Sequence, residues 1–169
     1  FPLIYKAFPA KNILITNIMQ DQVHRNGEPD FIYQILKKTI NKNMRVFVNN
    51  DEPRSASFAE YAGEAVYFGA DKFAEAFYKN GFTDVTLPCP ICSSKIEFEF
   101  LNLSNTGRFK CSGCGFASES LSKDFVIAAS DTDFENGNCT VKGTSCVIPY
   151  NMPSMVYNLS AVLAVCDSL

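Results

Sequence analysis

Several features are missing from the sequence, and each absence narrows the possibilities. No apolar run approaches the roughly 20 residues needed to cross a bilayer, and no signal-peptide pattern is present. Glycine and proline are sparse, at 9 and 8 of 169 residues, and no segment repeats or falls to low complexity. With 47% hydrophobic and 20% charged residues, that composition excludes collagen-like, coiled-coil and extensively disordered chains. Excess positive charge is also missing. Fifteen Lys and Arg against eighteen Asp and Glu leave a net charge of -3, which disfavours nucleic acid or an anionic membrane as a partner. There is one histidine, His24, in a polar stretch that reads as solvated loop. A starting Met is absent, and the chain is expected to be a piece of a longer one. Its length suits one domain with a small satellite.

Cysteine, by contrast, is plentiful. Four of the seven form two C-x-x-C pairs, Cys89 with Cys92 and Cys111 with Cys114, separated by eighteen residues. Two such knuckles supply the four thiolates that a tetrahedral zinc ion takes. Pro88 and Pro90 around the first pair, and Gly113 and Gly115 around the second, are suitable turn residues. Between the pairs, Ile96, Phe98 and Phe100 alternate with Glu97 and Glu99, the pattern of a half-buried strand. Gly107 to Lys110 then leads a return strand into the second knuckle. The pattern is a zinc ribbon with a closed, structural metal site, since four filled positions leave none for a catalytic water. Two disulfides in a secreted domain are the competing reading, which the odd cysteine count disfavours. Cys139, Cys146 and Cys166 read as small buried hydrophobes.

Outside the ribbon the chain alternates strand and helix. Apolar runs at 11–16, 45–49, 65–69 and 125–129 predict buried strands. Pro29 opens a helix with Phe31, Ile32, Ile35, Leu36 and Ile40 on its apolar stripe. Asn50 to Pro53 reads as a turn, and Ser57 with Glu60 as the capping box of a short helix ending at Gly63. A further helix is expected over 71–80. Strands near 140–142 and 145–148 form a hairpin, and Pro153 opens a closing helix with Met155, Val156, Leu159, Val162, Leu163 and Cys166 on one stripe. The fold class is therefore α/β, a parallel sheet with helices on its faces. Residues 1–85 and 121–169 make the sheet domain, and 86–120 is an inserted ribbon. Ligands of such sheets bind beyond the carboxyl ends of the strands. Two polar clusters fall there: Thr16-Asn17 with Asp21-Gln22, and Asn49-Asn50-Asp51.

Four stretches carry a resemblance. Residues 16–28, from Thr16-Asn17 through Asp21-Gln22 to Gly27-Glu28, are similar to T-N-[IL]-F-R-D-Q-L-D-R-Y-G-E, a signature of the MurT-like branch of the Mur ligase family. Asn49-Asn50-Asp51-Glu52-Pro53 resembles that branch's N-A-D-D-P. The four-cysteine ribbon resembles its insertion, and Met155 to Ala161 its closing N-V-Y-N-A-L-A helix. Gln20, His24, Asn50 and Met155 depart from the pattern. The order and spacing of all four motifs agree from about residue 11 onward.

The resemblance implies the central, ATP-binding domain of a ligase. Such an enzyme activates a carboxylate as an acyl phosphate, which ammonia or an amino acid then attacks. In the MurT-like branch the substrate is a peptidoglycan precursor and ammonia comes from a glutaminase partner subunit. By position, Asn49, Asp51 and Asn158 would bind the nucleotide, and Asn17, Asp21 and Gln22 would lie near its phosphates and magnesium. No G-x-x-G-K-[ST] phosphate loop occurs in the chain. In the family that loop precedes the Thr16-Asn17 region, so this piece alone is expected to be an incomplete ATP site. The implied location is cytoplasmic. A stand-alone zinc-ribbon interaction module, or a pseudoenzyme without ATP chemistry, is the alternative. Within 86–120 three basic and three acidic side chains balance, and four thiolates on one zinc dication leave the ribbon net negative, unlike a nucleic-acid ribbon.

Overall fold

The structure, a computed structural model, describes residues 7, 9–19, 28–73, 87–118, 125–141 and 143–168. Four strands form one parallel sheet: β1 (Asn12–Ile15), β2 (Arg45–Asn49), β3 (Glu64–Ala70) and β6 (Phe125–Ile127), in the order β1-β2-β3-β6. Among the described residues the element following β1 is helix α1 (Pro29–Thr39), whose Pro29 has a fixed φ suited to a first turn and whose Lys37 and Lys38 complement the dipole at its last. Alternation along β2 explains the layering. Val46 and Val48 face Tyr33 and Ile40 on one side, while Phe47 faces Ala161 and Ala164 on the other. All three β2 residues are essentially fully buried, as expected of a strand covered on both faces.

Between β3 and β6 the chain leaves the sheet to build an antiparallel hairpin, β4 (Ile96–Leu103) and β5 (Thr106–Cys111). After β6 come the short strands β7 (Thr132–Asp133), β8 (Asn138–Val141) and β9 (Thr144–Val147), an antiparallel meander turned at Gly143 with φ +78°. Helix α3 (Pro153–Ser168) then closes the chain against β2, β3 and β6.

The expected turn follows β2 at Asn50 and Asp51, but it is buried, and Pro53 starts a short helix, α2 (Pro53–Ser57), which the Glu52 carboxylate caps by accepting from the Arg54 and Ser55 amides. Three sequence expectations are corrected. Ser57 makes no side-chain cap, and Phe58–Glu60 is a single 3-10 turn. Phe31 is 61% exposed and Tyr33 takes its place inside, hydrogen-bonded to Ser57 Oγ at 3.0 Å. On α3 the buried face is Val156, Tyr157, Ser160, Ala161 and Ala164, with Val162 and Cys166 outside. Small residues face the sheet there because Phe47 and Phe68 already fill that layer. Of the remaining cysteines, Cys139 is buried and Cys146 half-buried. The helix expected over 71–80 falls mostly outside the described residues.

Candidate functional site

Two polar constellations stand out, one at each end of the β4–β5 hairpin. At the first, the Sγ atoms of Cys89, Cys92, Cys111 and Cys114 all lie within 4.8 Å of one another. Cys92 and Cys111 are 3.4 Å apart, and Cys89 and Cys114 are 3.8 Å apart. A zinc ion with four sulfurs at about 2.3 Å puts those sulfurs about 3.8 Å from each other, so the cluster fits the ion. Both knuckles are built by backbone turns. The Ser93 amide donates to Cys89 O at 2.9 Å and the Gly115 amide to Cys111 O at 3.3 Å, with Gly115 in the left-handed region at φ +77°. The Gly113 and Cys114 amides point at Cys111 Sγ, at 3.3 and 3.4 Å, as suits a thiolate. Burial pushes the Cys89 thiol up to about 12, whereas hydrogen bonds from Ser94 bring Cys92 down to about 6. Leu87, Ile96 and Phe109 form a small core under the cluster, and Ala56 of α2 is part of it.

The second constellation lies at the carboxyl ends of the sheet strands. Asn49 ends β2, buried to 2% exposure; its Nδ2 donates to Thr16 O at 3.0 Å and its Oδ1 accepts from the Asp51 amide at 3.0 Å. Asp51 is equally buried. Its Oδ2 accepts from the Ala70 amide at 2.9 Å and from Tyr157 Oη at 3.3 Å, and its Oδ1 from Asn50 Nδ2 at 3.3 Å. The carboxylate can lie against β3 because position 69 is glycine: a methyl there would sit 2.7 Å from Asp51 Oδ2. Glu52, with no exposed surface, accepts from the Ser55 amide at 2.7 Å, the Arg54 amide at 3.1 Å and Asn105 Nδ2 at 3.3 Å. Desolvation pushes its carboxyl up to about 7, against the opposing pull of the Ser55 and Arg54 amides. Asn50 Nδ2 reaches Ser118 O at 3.1 Å, while its Oδ1 is buried with no partner among the described residues.

The hairpin tip meets this edge directly. Asn102 Oδ1 accepts from the Phe73 amide at 3.1 Å, and its Nδ2 donates to Asp71 O and to Tyr157 Oη, both at 2.9 Å. The Gly107 amide donates to Asp51 O at 2.8 Å.

Of the residues singled out in the sequence, the four cysteines come together, and Asn49 and Asp51 come together as buried, fully engaged groups. Asn17 is exposed after β1, and Asn158 is exposed on α3, where its neighbour Tyr157, not Asn158 itself, reaches Asp51. Asp21 and Gln22 lie outside the described residues. Glu52, Asn102, Asn105 and Tyr157 were not singled out. Glu52 and Tyr157 carried a signal, from their places in the Asn49-to-Pro53 stretch and the closing motif.

No family profile matches the chain. Its fold is shared with a pseudomurein peptide ligase type C from Methanothermus fervidus, at a TM-score of 0.72 and 23% identity over 97% of this chain and 32% of that one. At that identity the likeness is one of fold. Curated relatives share sequence with the chain as well. The MurT subunit of the glutamine-hydrolyzing lipid II isoglutaminyl synthase of Staphylococcus aureus (strain COL) is 26% identical over 119 residues, 70% of this chain and 27% of the relative. Its counterpart from Streptococcus pneumoniae (strain ATCC BAA-255 / R6) is 29% identical over 104 residues, 60% of this chain and 23% of the relative. The chain is MurT-like, and it spans about a quarter of the length of these relatives.

Proposed function

We propose that the chain is part of a cytoplasmic, ATP-dependent ligase that forms an amide on a peptidoglycan precursor. In this reading a substrate carboxylate attacks the γ-phosphorus of ATP, ADP leaves, and ammonia or an amino acid displaces phosphate from the resulting acyl phosphate. Ammonia would come from a glutaminase partner subunit. The observation that carries the reading is a parallel sheet with a four-cysteine hairpin inserted between β3 and β6, in a chain 26% identical to MurT over 70% of its length.

The carboxyl edge of the sheet is where the nucleotide would bind. Asn49 and Asp51 would act there by holding the backbone around it, because their polar atoms are already engaged with Thr16 O, Ala70 N and Tyr157. Asn158 is exposed and available to an adenine edge, and Asn17 is exposed at the end of β1. Asp21 and Gln22 would face phosphate and magnesium. Zinc in the four-cysteine site would be structural: Cys89, Cys92, Cys111 and Cys114 would hold it, and it would supply rigidity and no chemistry. The chain by itself, lacking a phosphate loop, would not complete a turnover.

The test is an assay of the full gene product with a peptidoglycan precursor, ATP, magnesium and ammonia or glutamine. ADP release coupled to conversion of a carboxyl to an amide, seen by mass spectrometry, is the expected result. A zinc-loaded protein that releases no ADP with any amine donor would instead leave a pseudoenzyme or an interaction module.

A further inference from the structure

We infer that the β4–β5 hairpin is a strut that transmits order from the cysteine cluster to the carboxyl edge of the sheet, with Asn102 as the positioning residue at its far end. The inference deepens the nucleotide-site reading above, and rests on it only for the functional consequence.

The hairpin is fastened to the sheet domain at three heights. At its base, Ala56 of α2 packs in the ribbon core with Leu87, Ile96, Phe109 and Cys111. Midway, Ser118 takes the Phe109 amide on its Oγ at 3.0 Å and offers its carbonyl to Asn50 Nδ2 at 3.1 Å. At the tip, Gly107 donates to Asp51 O, and Asn102 bridges the end of β3 to α3. The donors and acceptors around Asn102 run in one consistent direction. Asn102 Nδ2 donates to Tyr157 Oη, which donates to Asp51 Oδ2, which also accepts the Ala70 amide.

Asn102 and Tyr157 are 3% exposed, so this chain of bonds is shielded from water, where an unmade bond costs most. Ile96, paired with Cys111, stands beside the cysteine cluster, and Asn102 is six residues further along the same strand, about 20 Å away. A freely recognising ribbon would expose its tip; this one buries Asn102, Asn105, Thr106 and Gly107. Fixing the four thiolates therefore fixes the strand that holds Asp51, Tyr157 and the end of β3 together.

The experiment is amide hydrogen exchange on the whole chain, zinc-loaded and after chelation, with Asn102→Ala and Tyr157→Phe made in the zinc-loaded protein. Zinc removal is expected to speed exchange at Phe73, Ala70 and Gly107 at least tenfold. Asn102→Ala should do the same at Phe73 and Ala70 while the Cys111 and Gly115 amides stay protected. Tyr157→Phe, which keeps the packing and cuts the relay, should do so at Ala70. Unchanged protection at Ala70 and Phe73 in the zinc-loaded Asn102→Ala protein overturns the inference, and so does a chelated chain that keeps both. If chelation also exposes Val48, at the centre of the sheet, the two zinc-loaded variants decide. Binding of magnesium-ATP by the same samples separates the two readings. Weaker binding in Asn102→Ala with protection retained at Val48 marks positioning beyond stability. Exchange that responds as expected in a protein that binds no ATP sinks the nucleotide reading and leaves the strut standing.

Discussion

Replacing Glu52 by Gln probes the least hospitable position in the sheet edge. The carboxyl has no exposed surface, and desolvation pushes it from an ordinary 4.5 to about 7 despite the Ser55 and Arg54 amides that favour the charged form. Because the folded chain holds this proton more tightly than the unfolded one, stability from this group is complete below about pH 4.5. It is lost as pH rises to about 7 and is flat beyond. Two and a half pH units at about 1.36 kcal/mol each give ~3 kcal/mol. Arg54 is the cation nearest in sequence and lowers the shift, but its guanidinium is paired with Asp30 at 2.8 Å, which limits its help. The assay is urea unfolding of wild type and Glu52→Gln from pH 4.5 to 8. Taking the difference at each pH cancels titration of the other groups, the cysteines included. Wild type should lose about 3 kcal/mol relative to the variant across the window. A constant difference would refute the reasoning. A wild type that gains with pH would mean that the amides outweigh burial and hold the carboxyl low.

Metal analysis of the purified chain should find about one zinc per molecule, and Cys111→Ala should abolish it and lower the melting temperature, since a ribbon of some 30 residues has too little core to stand alone. Gly69→Ala should destabilise by roughly 1–3 kcal/mol in urea unfolding, because the new methyl meets Asp51 Oδ2 at 2.7 Å and must displace a buried, hydrogen-bonded carboxylate. Asn158→Ala should leave stability within about 0.5 kcal/mol, as an exposed side chain on α3, while weakening magnesium-ATP binding in the full gene product.

The parts of this fold legible in the sequence are those whose signal is local. Val46-Phe47-Val48 is a short apolar run between polar turns, and a strand buried on both faces produces just that. The C-x-x-C pairs announce their cluster because each such turn brings two sulfurs together, whatever the rest of the fold does. Helix faces were harder. On α1 the sequence favours Phe31, yet Tyr33 goes inside because its hydroxyl finds Ser57 Oγ; on α3 the large apolar residues yield to Ala161 and Ala164, because close approach to Phe47 and Phe68 needs small side chains. Both outcomes depend on what the opposite layer supplies, which periodicity does not encode.

The carboxyl edge was the least legible region for a different reason. Asn, Asp and Glu beside a proline form the ordinary signature of a solvated turn, and Asn50 to Pro53 reads as one. Its burial draws on partners 53 and 106 positions further along the chain: Asn105 belongs to an inserted hairpin and Tyr157 to the closing helix. Neither contributes a pattern at the turn itself. A polar turn becomes core only when the hairpin tip and α3 arrive together to cover it: the tip supplies the Asn105 bond to Glu52 and α3 the Tyr157 bond to Asp51. The insertion is therefore not an ornament on the sheet domain but the wall of its carboxyl edge. Any nucleotide bound there would rest on a floor whose shape depends on residues of the ribbon.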